Sequence, residues 1–261
     1  MKTLVMKFGG AAVAHTHCFG QIADIIIDRS KSYDNIIVVI SAMGDSTNQL
    51  IALAKQVNPN PPSREYDMLI SVGERVSMSL LAMALHLKNQ DAASFTGSQA
   101  GIITSNSHTE AHIIEVRPYR LLNRLEKNHI VIVAGFQGVS KHGDITTLGR
   151  GGSDTTAVAL AAALSAEKVE FLKDVEGIYD KDPHLYSNAF LYPEINYQKA
   201  LDLTLNGAKV LQSRAVVLAQ KNRIPLHVLS FNKFFDSSHK GTWVRDNSLS
   251  RLEQPIYEED I

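Results

Sequence analysis

The side chains best suited to chemistry in this sequence are cations set beside glycines. Lys7 precedes Gly9-Gly10 at the end of an apolar run. Paired glycines let backbone N–H groups close on an anion, and Lys7 can place an ammonium there; a strand-end lysine before a plain turn is the competing reading. The GxxxxGK[ST] phosphate loop is absent. Arg150 stands in Gly149-Arg150-Gly151-Gly152-Ser153-Asp154-Thr155-Thr156, ahead of an alanine-rich run. Its planar fork suits a carboxylate or phosphate, and the helix N-terminus that follows favours anions. Ser153 or Asp154 can cap that helix, and Asp154 can also orient a lysine or a metal-bound phosphate. Ser41-Ala42-Met43-Gly44-Asp45-Ser46-Thr47-Asn48 offers hydroxyls for a helix cap or for a small polar ligand. Glu74, inside an apolar helical stretch, is either a solvated residue or the binder of an ammonium.

Two further stretches bear charge. Lys173 to Pro183 is a polar loop with turn signals. Lys209 stands at the start of a predicted helix, where a cation opposes the helix dipole; the misfit points to an anion. His15, His17, His108 and His112 fall in polar stretches and read as surface residues. Neither HExxH or Cys/His metal spacing nor a GxSxG elbow occurs.

The elements that must position these groups alternate between strand and helix. Strands are predicted at Thr3–Phe8, Asn35–Ser41, Ala92–Thr96, Ile102–Thr104, His129–Ala134, Val169–Leu172 and Ile224–Leu229. Helices are predicted around Ile22–Ile27 and at Ser46–Val57, Tyr66–Leu87 with an interruption near Gly73, Arg117–Lys127, Ser153–Ala166, Gln198–Leu205 and Lys209–Lys221. Gly135 to Gly138 reads as a turn. NIIVVI and HIVIVA lack period-two alternation, which suits strands covered on both faces of a parallel sheet. Such a sheet binds ligands where loops leave the carboxyl ends of its strands.

Composition narrows the class. The 261 residues suffice for a large α/β domain. With 26 basic and 27 acidic residues there is no charge excess to draw nucleic acid or an anionic membrane. Cys18 is the lone cysteine, so no internal disulfide forms and the expected setting is reducing and cytoplasmic. No uninterrupted apolar run reaches the roughly 18 residues of a membrane helix. The polar segment 245–261 reads as an appendage.

KFGG, SAMGDSTNQL, SVGERVS, FTGSQAGI, VAGFQG, TTLGRGGSDTTA, KDVEGIYDKDP and YPEINYQKALDLTLNGAKVLQSR follow one another between Lys2 and about Val244. In that order they resemble the catalytic domain of the aspartate kinases, in the amino acid kinase family. The resemblance implies a three-layer αβα sandwich with a mainly parallel central sheet of about eight strands and a catalytic domain over 1–244; family members usually add a C-terminal ACT regulatory domain, for which the short tail over 245–261 is too small. It implies phosphorylation of the β-carboxylate of L-aspartate by ATP, the first step toward lysine, threonine and methionine. Mg²⁺ would be bound mainly through ATP oxygens, and the enzyme would be a homodimer. Lys7, Gly9 and Gly10 would hold the transferring phosphate, Lys209 would steady the ATP phosphates, and Asp154 would orient the lysines. Arg150 would clamp the α-carboxylate of aspartate and Glu74 its ammonium, with Ser41, Thr47, Phe136 and Ser153 lining the pocket. Lys173, Asp174, Tyr179 and Asp182 would surround adenine and ribose.

The chain departs from the family pattern in places. Ala11-Ala12 stand where the family has a threonine and a serine, Asp45 adds a charge, and Lys173 replaces a threonine. Gln212-Ser213-Arg214 replaces HPR, and His184 replaces an arginine. These departures leave two other readings open: a related kinase for another carboxylate, or a non-catalytic nucleotide-binding subunit. The missing ACT domain fits either a naturally short chain or part of a longer one.

Overall fold

The structure is a computed structural model that describes residues 1–183, 185–207, 210–246, 252 and 254–258. Its centre is an eight-stranded sheet built from β1 (Thr3–Phe8), β2 (Asn35–Ile40), β3 (Ala92–Phe95), β6 (Ile130–Ala134), β9 (Lys168–Lys173), β10 (Glu194–Ile195), β11 (Leu226–Ser230) and β12 (Thr242–Val244). The order across the sheet is β10-β12-β11-β9-β1-β2-β6-β3. Every neighbouring pair is parallel except β11 with β12.

Alternation along each strand divides the core in two. On β1, Leu4, Met6 and Phe8 face one apolar cluster and Val5 faces the other. On β2, Ile36, Val38 and Ile40 oppose Ile37 and Val39 in the same way. Both faces are apolar, which is why these strands show no polar period. One face is covered by α1 (Cys18–Ser30) and α4 (Val72–Leu87), through Ile22, Ile26, Leu81 and Leu85. The other is covered by α5 (Tyr119–Leu125), α6 (Gly152–Ala163) and α8 (Ser213–Asn222). These make the three layers of an αβα sandwich. The remaining helices are α2 (Ser46–Val57), α3 (Ser63–Ile70) and α7 (Tyr197–Leu205).

A second sheet lies beside the first, and of its strands the sequence predicts only Ile102–Thr104. It joins β5 (Ile113–Val116), β4 (Ile102–Thr104), β7 (Gln137–Ser140) and β8 (Ile145–Thr147) in that order. Gly135 to Gly138 is therefore not wholly a turn: Gln137 already pairs with Thr147.

Helices α3 and α4 together span Ser63–Leu87, which contains an 18-residue window of mean hydropathy 1.5 and is long and apolar enough to cross a membrane by length and composition. Here it belongs to the core. It breaks at Ser71, two residues before Gly73, and Gln137 donates its side-chain N–H to the Ser71 carbonyl at 2.7 Å. Beyond the break, Leu81 and Leu85 are fully buried against the main sheet. Helix α8 begins at Ser213, after an extended Gln212, and not at position 209. Lys209 itself and His184 lie outside the described residues. In the C-terminal segment, Tyr257 is buried in the core cluster that contains α8.

Candidate active site

Lys7, the penultimate residue of β1, lies on the α6 side, the side that Val5 faces. Its Nζ lies 2.6 Å from Oδ1 of Asp154 in the first turn of α6. Lys173 closes β9 on the same side, since Val169 and Phe171 share its parity and face the α6 cluster. Its Nζ donates to Oδ2 of Asp154 at 3.3 Å. The Asp154 side chain is 4% exposed. Burial alone would raise its carboxyl, but the charges of Lys173 and Lys7 outweigh this and hold it below the usual carboxylate range. Burial also lowers the Lys173 ammonium to about 8, against the opposing pull of Asp154.

The backbone around this cluster explains its glycines. A side chain at Gly10 would meet the Ala42 carbonyl at 3.2 Å, so the KFGG turn and the loop after β2 lie against each other. Gly151, with φ of 79°, ends the loop before α6 and occupies the N-cap position. No side chain caps α6, contrary to the role expected of Ser153 or Asp154. Asp154 is turned to the lysines, and Ser153 is buried beside Gly135.

Glu74 is the largest correction to the solvated reading. It is 3% exposed, because Gly73 brings α4 so close to the loop after β2 that a Cβ there would lie 2.7 Å from that of Ala42. The Ala42 N–H donates to Oε1 of Glu74 at 3.1 Å, while Oε2 has no hydrogen-bond partner among the described residues. Burial pushes this carboxyl up to about 7, despite its backbone hydrogen bonds and the charge of Lys7. A folded-state pKa raised in this way contributes stability below the unfolded value near 4.5 and loses it as pH rises through 7. Glu74→Gln is therefore expected to raise stability at pH 8 by up to about 3 kcal/mol and to gain little below pH 5. Thermal melts at the two pH values check this; a lower melting temperature for the variant at pH 8 contradicts it.

Two cavities flank the ion cluster. One, of about 510 Å³, is lined by Lys7, Gly10, Ser41, Thr47, Glu74, Phe136, Arg150 and Ser153 among others. It gathers the residues expected to hold a small amino acid, with Arg150 exposed at its edge and Glu74 buried in its wall. The other, of about 660 Å³, is lined by Lys173, Asp174, Tyr179 and Asp182 together with Gly207 and Val210. Lys173 lines this second cavity while its ammonium reaches the aspartate shared with Lys7. It is thus at the junction of the two cavities and not only in the loop that follows β9.

Asp67 was missed in the sequence. It is fully buried on α3 and accepts from the Thr147 hydroxyl at 2.6 Å and the Thr147 N–H at 3.0 Å. It also accepts from the Thr109 N–H and pairs with His108 Nδ1 at 2.9 Å, so His108 is not a free surface residue. One carboxylate thereby ties α3 to two chain stretches that line the first cavity. Its position in an amphipathic stretch, i−7 from Glu74, gave no local signal of burial.

The sequence profile described as the amino acid kinase family matches residues 2–230. An aspartokinase from Mycolicibacterium smegmatis is 48% identical over 231 residues, covering 88% of this chain and 55% of that protein. The crystal structure of aspartate kinase from Synechocystis superposes with a TM-score of 0.84 at 43% identity, covering 96% of this chain and 40% of that one. E. coli aspartokinase III, solved with aspartate and ADP, also gives 0.84, at 29% identity and with 95% and 66% covered. The profile match over most of the chain places it in the amino acid kinase family, and the eight-stranded αβα sandwich agrees with that membership. Within that family its similarity is to the aspartokinases, and the chain spans about half the length of the curated relatives it matches.

Proposed function

We propose that the chain transfers the γ-phosphoryl group of ATP to the β-carboxylate of L-aspartate, giving ADP and 4-phospho-L-aspartate. The observation that carries this reading is the buried Lys7–Asp154–Lys173 cluster standing between two cavities. Phosphoryl transfer asks a protein for positioning and charge neutralisation, and little covalent chemistry. The attacking carboxylate is ionised at neutral pH, so no general base is needed.

Aspartate occupies the cavity of Glu74 and Arg150. The Arg150 fork takes its α-carboxylate, and the unpartnered oxygen of Glu74 takes its ammonium, with Ser41, Thr47, Phe136 and Ser153 around it. ATP occupies the second cavity, with Asp174, Tyr179 and Asp182 toward adenine and ribose, and Mg²⁺ arrives on the triphosphate. Lys7 and the backbone of Gly9-Gly10 meet the transferring group. The contact of Lys173 with Asp154 supports a role for this lysine at the phosphates. Lys209 is assigned there on the family resemblance alone. That E. coli aspartokinase III was solved with aspartate and ADP supports these two ligand classes for this chain. Residues 1–244 form the catalytic unit, which acts as a homodimer in the cytoplasm at the start of lysine, threonine and methionine synthesis.

ADP release from purified protein with Mg-ATP and a panel of amino acids tests the reading. Turnover is expected with aspartate. Turnover only with glutamate or another acid would overturn the substrate, and none with any acid would overturn the activity.

A further inference from the structure

The GRGG loop has little stiffness of its own: Gly149 and Gly151 sit at φ of 73° and 79° on either side of Arg150. It is held from outside by α8. Arg214 Nη1 donates to the Leu148 carbonyl at 2.6 Å, and Nη2 donates to the Ala111 carbonyl at 2.9 Å. These two stretches are themselves joined by the Ala111 N–H donating to the Thr147 carbonyl. The Gln212 side chain lies against Gly151, so closely that a Cβ there would come within 1.9 Å of Gln212 Cγ.

The guanidinium that makes these contacts is oriented by a carboxylate from the C-terminal segment. Arg214 Nε donates to Glu258 Oε1 at 2.8 Å, and Oε2 of Glu258 accepts from the Ile113 N–H at 2.7 Å, at the start of the edge strand β5. The Glu258 side chain is 6% exposed. Its backbone is set by two neighbours. Tyr257 is buried, and the Ile256 N–H and carbonyl both bond the Asn222 side chain at 2.8 Å. Residues 256–258 are thus fastened to α8 and to the small sheet, and one charge-assisted fork carries their position to the residue two before Arg150.

We propose that Glu258 is a positioning residue that acts through Arg214 on the GRGG loop, so that the seating of the C-terminal segment sets the affinity for the acid substrate. The proposal rests on the reading that Arg150 holds that substrate's carboxylate.

The test compares the whole chain with Glu258→Ala, Glu258→Gln and a control, Glu194→Gln, which breaks the exposed pair with Arg245. Glu258→Ala is expected to raise KM for aspartate roughly tenfold, with KM for ATP within about twofold of the parent. Glu258→Gln, which keeps one acceptor, falls between, and the control matches the parent. Deuterium uptake over residues 147–152 is expected to quicken in Glu258→Ala and not in the control. Should Glu258→Ala fail to fold, Arg214→Lys keeps the charge, loses the fork and is expected to show the same split. Unchanged aspartate KM and unchanged uptake would overturn the proposal, as would equal rises in both KM values, which signal general loosening. If the parent protein does not turn over aspartate, the activity reading fails on its own, and the uptake over 147–152 alone decides this proposal.

Discussion

Lys7→Ala is expected to lower kcat by about a thousandfold or more while the protein stays folded. Lys7 is the cation that lines the acid cavity and also contacts the carboxylate shared with Lys173. On the proposed reading a fixed ammonium here would neutralise charge on the transferring phosphoryl group with little reorganisation during the reaction, and such groups are worth about 4 kcal/mol of barrier. The remaining Lys173 keeps Asp154 paired, so the melting temperature is expected to move by no more than about 5 °C. On the proposed allotment the effect belongs in kcat, since Lys7 would meet the moving phosphoryl group and neither the α-carboxylate nor the ammonium of the acid. Steady-state kinetics check this, and a Lys7→Ala enzyme of near-parental rate would refute the role given to Lys7.

Asp154→Asn is expected to damage stability as well as rate. It leaves two ammoniums, 7% and 15% exposed, without their counter-charge. Breaking one side of a buried ion cluster typically costs about 3–5 kcal/mol, which is on the order of 10 °C in a chain of this size. The pH dependence has a definite sign. The depressed pKa of Asp154 contributes stability above the unfolded value near 3.8 and loses it as pH falls through the folded value. At the alkaline end Lys173 releases its proton near 8, so the deficit of the variant shrinks from pH 7 to pH 9. Adding Lys173→Met to Asp154→Asn removes one stranded charge and is expected to restore part of the loss. Melts of the single and double variants check this; a double variant less stable than Asp154→Asn at pH 7 would contradict it.

Much of this site was legible from local features. NIIVVI announced a strand covered on both faces, and Lys7 with Gly9-Gly10 marked the carboxyl end of its neighbour. Residues that depend on long-range packing were not legible. The burial of Glu74 follows from the contact of Gly73 with Ala42, more than thirty residues away in the chain. The strands β7 (QGVS) and β8 (ITT) are too short and polar to show a period, and exist because they pair with each other and β7 pairs with β4. Lys173 was recoverable: parity along β9 puts it on the face of Val169 and Phe171, and parity along β1 puts Lys7 on the same side as Val5. The Glu258–Arg214 contact joins residues whose proximity no local pattern encodes.

On the proposed function, the junction at Asp154 makes an acyl phosphate on aspartate. Hydroxylamine trapping tests this most directly, since it converts an acyl phosphate to a hydroxamate with release of phosphate. With Mg-ATP, aspartate and hydroxylamine, aspartyl β-hydroxamate and ADP are expected in equal amounts. ADP without hydroxamate, or hydroxamate only from another acid, would contradict it.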